Sequence, residues 1–190
     1  MFIDLTCTMD SQILKKLGHD FDSLGGGHVG SHFDAWTGIA FPLEYCVRKG
    51  LVFDCSKAGD LIKPEDVDLS LVEKDMFVAF YTGFGDNYPF GIDPFDHYYL
   101  QSPELSKELL DELIKKGISL IGIDFGGVQR GDDHYPMDVY CERKGVYIIE
   151  NLHNIGLICQ NNQYFTAYTF PVAYPHLSGL PCRVVAGLEE

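Results

Sequence analysis

Between residues 27 and 34 the chain reads Gly27-His28-Val29-Gly30-Ser31-His32-Phe33-Asp34. Positions 28, 32 and 34 share parity, so an extended backbone turns two imidazoles and one carboxylate to the same face. A helix would keep 28 and 32 together and swing 34 away. Imidazole with carboxylate is a ligand set for Zn²⁺, Mn²⁺ or Fe²⁺. Three protein ligands leave a coordination position for water, the arrangement of a catalytic site rather than a structural one. Gly30 lets the backbone pass close to an ion. The competing reading is two histidines that only pack a loop behind Gly25-Gly26-Gly27, and it predicts no metal.

Other acidic and imidazole side chains could complete such a site. Glu150 closes the apolar run Val146-Tyr147-Ile148-Ile149. A carboxylate there is costly unless it is paired, hydrogen-bonded or metal-bound, or reaches solvent at the strand end. Asp124 ends Ser119–Ile123 in the same way and reads as a turn or cap residue. His134, in a polar loop, and His153, three residues after Glu150, are acid/base candidates. For either alone, a surface or hydrogen-bonded histidine is the commoner case. His19, His97 and His176 have no pattern around them. The aromatic runs 81–88 and 95–99 read as packing, and would also suit an aryl ligand.

The elements that must hold these groups follow from periodicity and punctuation. Phe2–Cys7, Leu51–Cys55 and Met76–Tyr81 read as strands, and Ser11–Leu17 as a short helical turn ended by Gly18. The clearest unit starts at Ser102 as cap with Pro103 in the first helical position. It places Leu105, Leu109, Leu110, Leu113 and Ile114 on one helical face. Gly117 ends the helix, and strand Ser119–Ile123 delivers Asp124. A second unit begins near Pro136, turns at Gly145 and runs to Glu150. The tail from Gly156 to Ala186 reads as three or more strands with Pro and Gly turns. The pattern predicts an α/β fold, a single domain over residues 1–190 with a mixed β-sheet flanked by helices.

Composition sets the broad class. The 190 residues are 46% hydrophobic and 22% charged, which excludes wholesale disorder. The 28 acidic against 14 basic residues give a net charge of −14. Such a field repels phosphate backbones and anionic lipid, so no nucleic acid and no membrane partner is expected, and it favours cation uptake where carboxylates converge. The six cysteines, Cys7, Cys46, Cys55, Cys141, Cys159 and Cys182, form no C-x-x-C pair. They read as reduced thiols of a cytoplasmic protein, with a three-bridge secreted framework as the alternative. The N-terminal residues show neither a basic region nor an apolar leader.

Taken together, these segments resemble the cyclase family of metal-dependent hydrolases, which includes bacterial kynurenine formamidase (an arylformamidase of tryptophan catabolism) and isatin hydrolase. The family signature H-x-G-[TS]-H-x-D-x-P-x-H is similar to His28-Val29-Gly30-Ser31-His32-Phe33-Asp34. Ile148-Ile149-Glu150-Asn151-Leu152 is similar to its I-I-E-N-L, Gly122-Ile123-Asp124 to its G-I-D, and Pro181-Cys182-Arg183-Val184-Val185-Ala186 to its closing strand. Ile3-Asp4-Leu5-Thr6 resembles its opening strand and Thr82-Gly83-Phe84 its R-T-G-W-like turn.

The resemblance implies a swivelling β/β/α-like fold, a homo-oligomer, and one or two divalent metals, Zn²⁺ first and Mn²⁺ second. His28, His32 and Asp34 would hold one metal, with Asp34 bridging to a second near Glu150. The substrate implied is a small amide, a formamide or cyclic amide, hydrolysed at its C–N bond by metal-activated water, with N-formylkynurenine as the example. Two positions depart from the pattern. Gly38 stands where the family has its proton-shuttling histidine, with Trp36 in place of the preceding proline. Asp138 stands where the second-metal histidine is usual, twelve residues before Glu150. An aspartate can still bind a metal, and His134, four residues earlier, is the candidate substitute ligand if its loop is shifted, and the candidate proton carrier. The alternative is a family relative that has lost hydrolysis and binds a metal or small ligand.

Overall fold

The computed structural model describes residues 1–6, 27–38, 40–88, 101–161, 163–173 and 177–188. Eight of its strands join one mixed sheet: β1 (Phe2–Asp4), β2 (His32–Asp34), β3 (Val47–Asp54), β5 (Phe77–Tyr81), β7 (Leu120–Ile123), β8 (Tyr147–Glu150), β9 (Tyr164–Pro171) and β10 (Gly179–Gly187). Strands β3, β5, β7 and β8 run parallel, and the remaining neighbours pair antiparallel. Strand β10 pairs with β2 through its first residues and with β9 through 182–187, so the sheet closes into a seven-stranded ring with β1 laid along β10. A separate parallel pair is formed by β4 (Leu61–Ile62) and β6 (Glu104–Leu105).

Strand alternation sorts the side chains into two cores. Phe33, Val52, Phe77, Ala79, Leu120, Ile149, Phe165, Ala167 and Val184 meet inside the ring. Gly50 and Gly122 are required there, because a Cβ at either would collide with the ring of Phe165 or Phe77. Those two phenyl rings pack edge to face at 5.8 Å. The opposite faces of the strands carry Val78, Phe80, Ile121, Ile123 and Ile148, which pack under two helices, α2 (Lys107–Lys116) and α3 (His134–Arg143). Leu109, Leu110 and Leu113 of α2 are fully buried, each contributing about 1.5–3 kcal/mol relative to exposure. A short helix α1 (Phe84–Asn87) follows β5, and α4 (Ile155–Asn161) follows β8.

The α/β single domain with a mixed sheet matches the sequence expectation, with local corrections. Helix α2 starts at Lys107, capped by Ser106, whose Oγ accepts from Leu109 N at 3.2 Å. Ser102 and Pro103 lie ahead of it because Glu104 and Leu105 are taken by pairing with β4. The tail is not all strand, since residues 155–161 form α4, held by buried Ile155 and Ile158 one helical turn apart. Ser11–Leu17, His19, the aromatic run 95–99, His97 and His176 lie outside the described residues. The five described cysteines are free thiols. No described helix is long and apolar enough to cross a membrane.

Candidate metal centre

Only part of the histidine-rich segment is extended. Strand β2 supplies His32 and Asp34, whose side chains share the face opposite the inward Phe33. His28 arrives by a turn instead. Gly27 and Gly30 take φ of +95° and +60°, and Val29 N–H donates to the Gly27 carbonyl at 2.9 Å. A Cβ on Gly27 would strike the backbone of Gly179 on β10, so only glycine fits. The turn still aims His28 at its partners. His28 Nδ1 lies 3.0 Å from His32 Nε2 and 3.3 Å from Asp34 Oδ1, and His32 Nε2 lies 3.7 Å from Asp34 Oδ1.

A second cluster faces the first from α3 and the end of β8. His134 and Asp138 occupy successive turns of α3, with His134 Nε2 3.3 Å from Asp138 Oδ2, and Glu150 joins them. In each group of three, His28 with His32 and Asp34 and His134 with Asp138 and Glu150, the potential ligand atoms lie within 4.8 Å of one another. The clusters touch, because β2 and β8 pair with His32 opposite Glu150 and bring His32 Nε2 to 3.5 Å from Glu150 Oε2. Five of these six residues came from the sequence as metal-ligand candidates and His134 as the substitute ligand and proton carrier; the structure brings all six together.

Hydrogen bonds hold the ligand atoms in position. His32 Nδ1 is 2.9 Å from the Gly30 carbonyl and His134 Nδ1 is 3.1 Å from the Gln129 carbonyl. A carbonyl only accepts, so each Nδ1 carries the proton and each Nε2 presents its lone pair to the cluster. His28 Nε2 engages Ser178 Oγ at 3.0 Å, leaving Nδ1 to face inward. Gly127 N–H donates to Glu150 Oε1 at 2.6 Å. Gly127 has φ +79°, and a Cβ there would run into the His134 ring.

Burial dominates the electrostatics. It pushes the carboxyls of Asp34, Asp138 and Glu150 well above the usual range, and their mutual repulsion adds to it. It lowers His28 to about 4 and, with the charge of His28, His32 to about 3. Both oxygens of Asp34 and both of Asp138 are buried without a hydrogen-bond partner. Each such atom costs about 1–3 kcal/mol. Orphaned carboxylate oxygens opposite imidazole lone pairs fit a divalent metal, which would satisfy both.

One acidic residue went unread in the sequence. Glu142, one turn past Asp138, is buried; its Oε2 accepts from Thr37 N–H at 2.9 Å, and its Oε1 has no partner. Its signal was the i, i+4, i+8 spacing of His134, Asp138 and Glu142 along one helix face. Asp124 is structural as expected, accepting from Thr82 N, Thr82 Oγ1 and Gly83 N at 2.7–3.1 Å across the ends of β5 and β7. His153 is in neither group of converging ligands. Gly38 is exposed with φ +68° and open space around its missing Cβ.

Comparison with known proteins places this arrangement in context. The family model described as putative cyclase matches residues 3–130. Among solved structures, isatin hydrolase A from Labrenzia aggregata has a TM-score of 0.77 at 20% identity, covering 100% of this chain and 94% of that one. Isatin hydrolase A from Ralstonia solanacearum gives 0.73 at 18%, with 98% and 91% covered. A predicted metal-dependent hydrolase from Bacillus stearothermophilus gives 0.70 at 18%, with 98% and 97% covered. At these identities the likeness establishes the fold. No match is found among curated proteins.

Proposed function

The chain belongs to the putative cyclase family, and we propose that it is a metal-dependent hydrolase cleaving the C–N bond of a small formamide or cyclic amide. The observation that carries this reading is the pair of facing clusters, joined at His32 and Glu150, with four carboxylate oxygens orphaned between them. His28, His32 and Asp34 would hold one divalent metal, and His134, Asp138 and Glu150 a second, with Zn²⁺ or Mn²⁺ suited to both. Such an ion supplies Lewis acidity and brings the pKa of water near neutrality.

The chain's own residues divide the remaining work. Gly30, Gln129 and Gly127 fix the ligand atoms through their backbone groups. With its Nε2 turned to Asp138, His134 serves the second cluster before it can carry protons. Glu142 Oε1 is then the group left beside the site to hold a proton for the leaving amine. Relatives named isatin hydrolase support a cyclic aryl amide as one substrate type, and N-formylkynurenine is the open-chain test case.

Elemental analysis of protein purified without a metal-chelating tag should find one or two metals per chain. Wild type so loaded should hydrolyse isatin or N-formylkynurenine, and the His32→Ala variant should hydrolyse neither. Equal turnover by both proteins, or no metal uptake at all, would sink the proposal. A second reading is favoured by Gly38: a relative that holds metal and ligand without hydrolysis. Metal-loaded wild type that binds these amides but leaves them intact selects it.

A further inference from the structure

Among the described residues, one ion pair of a lysine or arginine with a carboxylate is set apart by its shielding. Arg130 and Glu104 are 27% and 24% exposed, whereas the partners in the other such pairs are 43–75% exposed. Water and salt screen it less than an ordinary surface pair. Both oxygens of Glu104 are engaged. Oε1 accepts from Arg130 N–H at 2.9 Å, and Oε2 accepts from the Arg130 guanidinium Nη2 at 2.8 Å. The next residue of β6 continues the attachment. Leu105 N–H donates to the Val128 carbonyl at 2.8 Å, and Gln129 Nε2 donates to the Leu105 carbonyl at 3.3 Å. Three successive residues, Val128, Gln129 and Arg130, are thus tied to the two of β6. Strand β6 is itself anchored, by its pairing with β4 and by Leu105, which is fully buried in the core beneath α2.

The stretch so held is the one that orients the second ligand cluster. The Gln129 carbonyl fixes the proton on His134 Nδ1, and Gly127 N–H holds Glu150 Oε1. The loop lies so close around the imidazole that a Cβ on Gly127 would meet both the His134 ring and the Gln129 carbonyl. The first cluster takes no support from this loop, because His28 and His32 lean on Ser178 and Gly30. Resting on the hydrolase reading for its metal, we infer that Glu104 and Arg130 are positioning residues of the second metal site. Their ion pair clamps the loop through residue 130, and the loop in turn sets the tautomer of His134 and the direction of Glu150. Neither residue is among the converging ligands, so both act only through the loop.

Nitrogen NMR of the imidazoles in chelated protein, at about pH 8 where a histidine is neutral, tests the clamp without metal or substrate. Wild type should show His134 and His32 each as the Nδ1–H tautomer, assigned from the spectra of His134→Gln and His32→Gln. Glu104→Ala should mix the His134 tautomers and leave His32 as it was. Arg130→Ala keeps the backbone N–H and should do so less; Arg130→Lys keeps the charge as well and should do so least. On metal titration, Glu104→Ala should lose about tenfold in affinity at the second site with the first unchanged. Arg130→Lys should recover most of that loss. Glu104→Gln, which keeps one acceptor oxygen, repeats the test at smaller amplitude should Glu104→Ala not fold. An unchanged His134 tautomer in a folded Glu104 variant, or an equal change at His32, would overturn the clamp. A tautomer change at His134 in a protein that takes up no metal keeps the clamp on the loop and removes the hydrolase. Amide hydrolysis by wild type, with His134 unchanged in Glu104→Ala, keeps the hydrolase and removes the clamp.

Discussion

The first ligand cluster comes from one segment, 28–34, whereas the second joins a helix residue pair to the tip of a strand. In the first, backbone geometry over a few residues fixes the spacing, with β2 supplying His32 and Asp34 and a glycine turn supplying His28. In the second, His134 and Asp138 are related by the helix repeat, but their meeting with Glu150 depends on how α3 packs on the ring. A locally encoded site tolerates global change better. The second cluster should therefore be the weaker metal site and the easier one to lose.

The largest expected effect breaks the distinction itself. His32 borders both clusters, so His32→Ala should empty both, with a loss in metal affinity beyond the roughly 10–100-fold typical of supporting groups; elemental analysis after dialysis checks it. Next, Asp138→Asn and Gly127→Ala should each remove the second metal and spare the first. Gly127→Ala should also cost about 1–3 kcal/mol in urea unfolding, because the φ is positive and the new Cβ meets His134. Retention of two metals by both variants would refute the division into two sites. Glu142→Gln should lower turnover about 10²-fold with metal content unchanged.

A pH series on chelated protein sharpens the comparison further. The carboxyls of Asp34, Asp138 and Glu150 are raised from ordinary values of 3.8 to 4.5, so folding without metal takes up protons and stability falls as pH rises above that range. His28 and His32 are lowered from 6.5, to about 4 and about 3, so stability also falls as pH drops below 6.5. Chelated protein should thus be most stable between roughly pH 4 and 6.5. Loading metal should move that optimum upward and release protons, measurable by calorimetry in buffers of different ionisation enthalpy. The smallest effect is expected at Gly38→His. The new imidazole would project into open space from a backbone at φ +68°, giving no gain in hydrolysis and a loss of about 1–2 kcal/mol in a urea titration.

Much of the frame was legible because its signals are local. The strand ending at Tyr81, the strand delivering Asp124 and the run ending at Glu150 follow from apolar runs with turn residues behind them. The start of α2 was misplaced because Ser102-Pro103 is a good helix entry in isolation, and β4, more than forty residues upstream, claims Glu104 and Leu105 instead. The helix at 155–161 went unread because a short apolar run, Ile155, Leu157, Ile158 and Cys159, does not separate helix from strand by periodicity.

Residue types and spacing alone determined the donor set: parity put His32 and Asp34 on one face, and no packing was needed to see that two imidazoles and a carboxylate suit a metal. Tertiary structure alone decided that His134, not only Asp138, meets Glu150, that Glu142 is buried beside Thr37, and that Trp36 lies on His28. The reason is range. Parity and helical repeat act over a few bonds, while the seating of α3 on the closed ring is set by the outer core, which gathers residues from more than half the chain.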